Sequence, residues 1–224
     1  MNLYAHAVLA QKLLPLARPA DPAAYLWGAV IPDIRYLVGM RRKTTHLTNE
    51  EITRWFEQYP GCESFIQGYR VHCLLDLIDT AHILGSQFPL NLLRGIRRKP
   101  LSTQQAAVMI ELYYHQDVPQ GITLIGEHNA ILETLGISAE QTQVYADALA
   151  DYLAAPSFNT AASAFARLGV IDDTRIEKYV SAYHGIQKNR LLMGVMMASA
   201  KNARLEELAV AEYHNLVSAP ASRQ

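Results

Sequence analysis

Apolar residues recur along nearly the whole chain at helical spacing, and the strict alternation of strands is scarce. That periodicity restricts the fold to an all-α globule of about eight or nine helices. Half of the 224 residues are hydrophobic, enough for one sizeable core, and no repeat or long linker divides the chain. Residues 1–224 therefore read as a single domain, with a frayed tail at about 218–224.

Helix boundaries follow from caps and breakers. A first amphipathic helix spans 3–16 and stops near Pro15 and Pro19. A short helix or turn covers 22–30, and 34–48 is a basic loop or broken helix. Asn49 is placed to cap a helix over 50–58, and one long helix is expected over 63–86. A basic connector with Gly95 and Pro100 leads to Ser102 or Thr103, capping 103–116. Gly121 opens a helix over 121–134, closed by Gly136. Ser138 with Gln141 forms a capping box for 139–154. Residues 158–168 are helical and end at Gly169. Asp172 or Asp173 starts a long helical region to about 217, with a break near Asn202.

The net charge of −1 argues against a globally basic nucleic-acid binder. Cys62 and Cys73 sit in no paired motif and read as reduced thiols. The N-terminal segment lacks a basic leader and reads as a mature helix, not a signal peptide. The run "LLMGVMMASA" is too short to span a bilayer, so a cytoplasmic protein without membrane insertion is the expectation.

Chemistry concentrates in "GYRVHCLLDLIDTAHIL", residues 68–84. On a continuous helix, His72, Asp76, Asp79 and His82 fall within a stripe of about 120°. One His–Asp pair is commonly a structural hydrogen bond. Four such groups on an apolar helix are costly to bury unless something compensates them. A divalent cation does so, because it keeps carboxylates ionised and imidazoles neutral. Upstream, Pro32 fixes a turn carrying Asp33, His46 follows thirteen residues later, and His6 lies on the first helix.

His72-x3-Asp76-x5-His82, preceded by Gly68-Tyr69, resembles the core motif of the zinc-dependent phospholipase C family. That family shares an all-helical fold with the secreted single-strand-specific nucleases. "GAVIPDI…TTH" resembles the family's segment with a Pro-Asp and a later Thr-His, and His6 stands where an early His ligand is found. The likeness covers residues 1–85 and fades beyond them.

The resemblance implies a first metal site of Asp33, His46, His72 and Asp76, with Asp76 bridging towards a neighbouring ion near His6. His82 would begin a second site, which the family completes with a later His-x3-Glu. No His-x3-Glu follows here; Glu111 with His115, or His128 with Glu133, are the substitutes, and the first pair is preferred because both can face one way on a helix. The implied cofactor is zinc, one to three ions, or another divalent metal. Secreted members also use a free N-terminal ligand, which this start does not offer, so one or two ions fit better.

The function implied is metal-dependent phosphoester hydrolysis through activated water. Asp33 is the expected catalytic base, and Asp79 would orient a ligand His. Arg35, Arg41, Arg42 and Lys43 would clamp an anionic phosphoester, and Arg94, Arg97, Arg98 and Lys99 form a second basic run. Trp55, Phe56 and Tyr59 near the basic loop would suit a nucleic-acid substrate. The competing reading is a catalytically silent helical metal-binding or scaffold protein. An HD-type phosphohydrolase wants an adjacent His-Asp dipeptide, and HExxH and ExxH patterns are also absent. His184 and His214 sit in amphipathic surroundings, and Met193, Met196 and Met197 read as core.

Overall fold

In the computed structural model, α1 (Leu3–Ala17) is buried on nearly every side from Leu3 to Ala10, and α2 (Pro22–Val30) from Tyr25 to Val30. A helix apolar all round belongs in the middle of a globule. The structure describes residues 3–87, 90–91, 103–117, 122–169 and 188–218. These are all-helical, with no strand among them, and share one hydrophobic core. No helix among them is long and apolar enough to cross a membrane.

After α2 come a 3₁₀ turn (Ile31–Ile34), α3 (Arg35–Val38), α4 (Arg42–Thr45), α5 (Asn49–Gln58), α6 (Glu63–Leu75) and α7 (Thr80–Ser86). Then follow α8 (Thr103–Asp117), α9 (Ala130–Thr134), α10 (Ala139–Ala154), α11 (Phe158–Arg167), α12 (Arg190–Asn202) and α13 (Leu205–Ser218).

Two glycines position the functional region. A methyl group at Gly28 would run into the Phe65 carbonyl, and one at Gly68 into the Tyr25 carbonyl. Without side chains there, the backbones of α2 and α6 touch. Ala29, next to Gly28, and His72, one turn beyond Gly68, are thereby brought together. The 3₁₀ turn after α2 carries Asp33 into the same space, and Tyr145 from α10 donates to the Val30 carbonyl at 2.7 Å to fix that end.

Several boundaries differ from the sequence reading. α1 runs through Pro15 to Ala17, and Arg18 then turns the chain with φ 45°. Thr48, not Asn49, caps α5 in a capping box with Glu51; the Asn49 side chain instead accepts from Arg70. The helix expected over 63–86 is two helices. Leu77 and Ile78 bond back only three residues, to Leu74 and Leu75, which tightens and ends the turn. The Asp79 carboxylate then caps α7 by accepting from the His82 backbone at 3.0 Å. A short acid competing for backbone donors stops a helix in this way.

Residues 122–129 are not helical; Asn129 caps α9 by accepting from Ile131 and Leu132. The Ser138–Gln141 capping box, the close at Gly136 with φ 77° and the turn at Gly169 with φ 64° stand as expected. The break near Asn202 separates α12 from α13, and Lys12 pairs with Glu206 to tie α13 to α1. Arg94, Arg97, Arg98, Lys99, Ser102, Gly121, Asp172, Asp173 and His184 lie outside the described residues.

Candidate metal centre

Five of the site residues named from the sequence converge: His6 from α1, Asp33 from the 3₁₀ turn, His46 after α4, and His72 and Asp76 from the end of α6. Ligand atoms of His6, Asp33 and His72 lie within 4.8 Å of one another, and so do those of His46, His72 and Asp76. His46 Nε2 is 3.0 Å from Asp76 Oδ2 and 3.2 Å from His72 Nε2, and His72 Nε2 is 4.0 Å from the same carboxylate oxygen. Asp33 Oδ1 is 3.8 Å from His46 Nε2. A tetrahedral ion with bonds of about 2.0–2.1 Å sets its donors roughly 3.3–3.4 Å apart. The edges observed here bracket that value.

Chemistry of the donors agrees with their spacing. His72 is fully buried, and its Nδ1 donates to the Ala29 carbonyl at 2.8 Å. A carbonyl only accepts, so the proton sits on Nδ1 and the Nε2 lone pair faces the cluster. Thr45 Oγ1 is 3.1 Å from His46 Nδ1, and Tyr69 donates to the Thr45 carbonyl, anchoring the loop that delivers His46. His6 is also fully buried and stacks on His72 with 3.9 Å between ring centroids. Its Nε2 comes within 3.2 Å of Asp76 Oδ1 without the alignment of a hydrogen bond, and neither ring nitrogen has a hydrogen-bond partner. Orphaned buried nitrogens of this kind call for an ion or an ordered water.

Burial pushes the His72 imidazole down to about 3, and burial with the neighbouring His72 pushes His6 down to about 4. Both are neutral at pH 7 and offer lone pairs. Burial works against the charge of Asp76, but the imidazoles of His46 and His6 that face it outweigh this and hold its carboxyl well below the carboxylate range. Neutral imidazoles beside an ionised carboxylate are the protonation states a divalent cation requires.

No protein-family model, curated protein or solved structure matches the chain.

The remaining named residues lie elsewhere. His82 and Asp79 are exposed, His82 on α7 and Asp79 as its cap, so the four-residue stripe does not exist as one surface. Glu111 and His115 on α8 form a separate buried group with Tyr152 of α10. Tyr152 donates to Glu111 Oε1, its hydroxyl lies 3.3 Å from His115 Nε2, and the Tyr4 ring meets His115 edge-on at 5.0 Å. Neither residue belongs to a converging ligand group among the described residues. His128 Nδ1 pairs with Thr142 Oγ1 at 3.1 Å, and its Nε2 lies 3.5 Å from Glu133 Oε1, so that pair comes together despite its spacing of five, with Glu133 mostly exposed.

Two of the three arginines are pinned rather than splayed. Arg42 Nη2 donates to Asp76 Oδ2 at 2.6 Å, and Arg35 Nε lies 3.4 Å from Asp33 Oδ1 while its guanidinium stacks on Tyr36 at 3.9 Å. Arg41 is exposed. Trp55 is buried edge-on against Tyr69 at 5.0 Å, so it offers no stacking face to a nucleic acid. The Ala29 carbonyl, the Thr45 hydroxyl and Tyr152 have no role in the sequence reading. Thr45 was visible in "TTH"; Tyr152 carried no local signal at all.

Proposed function

We propose that the chain is a metal-dependent phosphoester hydrolase whose centre is held by His6, Asp33, His46, His72 and Asp76. The observation that carries the metal reading is the convergence of three imidazoles and two carboxylates, with both buried His6 ring nitrogens left without a hydrogen-bond partner. Both ligand groups share His72, whose one Nε2 lone pair can serve one ion, so one principal ion fits the nest. The hydrolase reading rests on the resemblance to the zinc-dependent phospholipase C family and on the arginines beside the carboxylates.

A bound zinc-like dication supplies Lewis acidity and lowers the pKa of water. The chain's own groups do the rest. Ala29 and Thr45 orient the two imidazoles through their outer nitrogens, as supporting partners of ligand histidines do. The Asp33 carboxylate, steered by Arg35, is the proton acceptor for the attacking water. Arg41 is free on the surface to meet an anionic substrate oxygen.

One observation favours a second reading, a metal-holding protein without turnover: His82, Glu111 and His115, the ligands expected for a second ion, stand outside the nest. The two readings separate by experiment. Metal content and hydrolysis of a phosphomonoester and phosphodiester panel are measured for the wild type, His72→Ala and Asp33→Asn. The hydrolase reading expects metal and hydrolysis in the wild type, neither in His72→Ala, and at least a hundredfold slower turnover with metal retained in Asp33→Asn. Bound metal with no turnover on any ester would leave the silent reading standing.

A further inference from the structure

Each carboxylate of the centre carries an arginine. Arg35 faces Asp33, and Arg42 faces Asp76. Two acids and two guanidiniums balance, and one divalent cation carries the same charge as the pair of arginines. The two differ in how they are held. Arg35 is largely shielded and stacked on Tyr36, whereas the Arg42 side chain is 54% exposed and reaches inward to a carboxylate only 8% exposed.

Arg42 and His46 stand four residues apart on one helical turn, with the His46 backbone donating to the Arg42 carbonyl at 2.8 Å. Both therefore arrive at the same oxygen, Asp76 Oδ2, at 2.6 and 3.0 Å. A cation seated among His46, His72 and Asp76 must use that oxygen as well. It would then lie a few ångströms from a guanidinium that cannot lose its proton. The Arg42 stem, rooted in a four-residue helix at the surface, gives the guanidinium room to swing outward.

We infer that Arg42 is an exchangeable counter-ion: it competes with a divalent cation for Asp76 Oδ2, and once displaced it takes an anionic oxygen of the phosphate group. This rests on the metal centre proposed above and adds its regulation. Metal and phosphate bind with positive coupling through one side chain, and the coupling is reciprocal. The forked guanidinium suits a phosphate as well as it suits a carboxylate.

Manganese binding to the full chain is measured by calorimetry for the wild type, Arg42→Gln, Arg42→Lys and His72→Ala, each with and without inorganic phosphate. Without phosphate, Arg42→Gln binds manganese about tenfold tighter than the wild type, because the competitor is gone. Phosphate tightens manganese binding in the wild type by a factor about tenfold greater than in Arg42→Gln. Arg42→Lys, which keeps the charge without the fork, falls between. Circular dichroism and thermal unfolding verify that the exposed substitutions leave the fold in place. Equal or weaker manganese binding in Arg42→Gln, with binding still dependent on His72, overturns the exchange and leaves the metal centre standing. No binding in the wild type, or binding indifferent to His72→Ala, overturns the centre and the exchange together.

Discussion

The protein buries two His–acid pairs one helical turn apart, and they differ in what meets them. His72 and Asp76 at the end of α6 are joined by His6, Asp33 and His46, so that lone pairs and carboxylates point at one another. Glu111 and His115 on α8 are joined by Tyr152, whose hydroxyl donates to the acid and lies beside the imidazole. The first group leaves both His6 nitrogens without a hydrogen-bond partner; the second contains its own donor. Spacing along a helix is the same in both. What makes a buried His–acid pair a metal centre is the set of groups that other elements bring to it.

The largest effect belongs to the packing that builds the first group. Gly28→Val places a side chain against the Phe65 carbonyl and separates α2 from α6. We expect a loss of at least about 3 kcal/mol in thermal or denaturant unfolding, and the Ala29–His72 hydrogen bond lost with it. A valine tolerated at wild-type stability would show that the close approach does not govern the site.

Proton sensitivity comes next. His6 and His72 are held down to about 4 and about 3 by burial, below the ordinary value of about 6.5. Between these values the unfolded chain binds more protons than the folded one. Stability is therefore full above about pH 6.5 and falls as the pH drops towards 4, by an amount on the order of 3 kcal/mol per group. His115, also held down to about 4 by burial, adds to the same trend. The comparison is sharpened by repeating the acid titration with zinc present. Metal shifts the midpoint downward for the wild type and for His115→Gln, but not for His72→Ala. An equal shift in all three would break the distinction between the two groups.

Tyr152→Phe removes the hydroxyl that Glu111 accepts from and costs about 2 kcal/mol in unfolding free energy, with metal content unchanged. Loss of metal in this variant would join the two groups into one site.

The smallest effect is at Asp79. Because it caps α7 rather than facing the nest, Asp79→Ala costs about 1 kcal/mol and leaves metal affinity untouched. Weaker metal binding would restore the orienting role that the sequence implied.

Much of this was legible residue by residue, and the losses have a common cause. The helical periodicity, the Ser138 capping box and the glycine stops are local, and they stand where the sequence placed them. The Pro-Asp turn is readable because Pro32 fixes it, whereas the Thr-His segment is read through the resemblance alone. The stripe through Asp79 and His82 failed because a helix wheel assumes an unbroken helix, and Asp79 itself ends that assumption by capping. Asn49 lost the cap to Thr48 because the capping box needs Glu51 three residues on, a spacing that only Thr48 satisfies. Nothing along the chain announces that Tyr152 would meet Glu111, 41 residues away. Long-range partners of that kind are set by packing, not by pattern.

Metal content by elemental analysis, on the wild type, His72→Ala and Glu111→Gln purified side by side after incubation with zinc, tests the central claim most directly. One divalent ion per chain is expected in the wild type and in Glu111→Gln, and none in His72→Ala. A wild type without metal, or a Glu111→Gln variant that loses it while His72→Ala keeps it, would overturn the metal centre at His72.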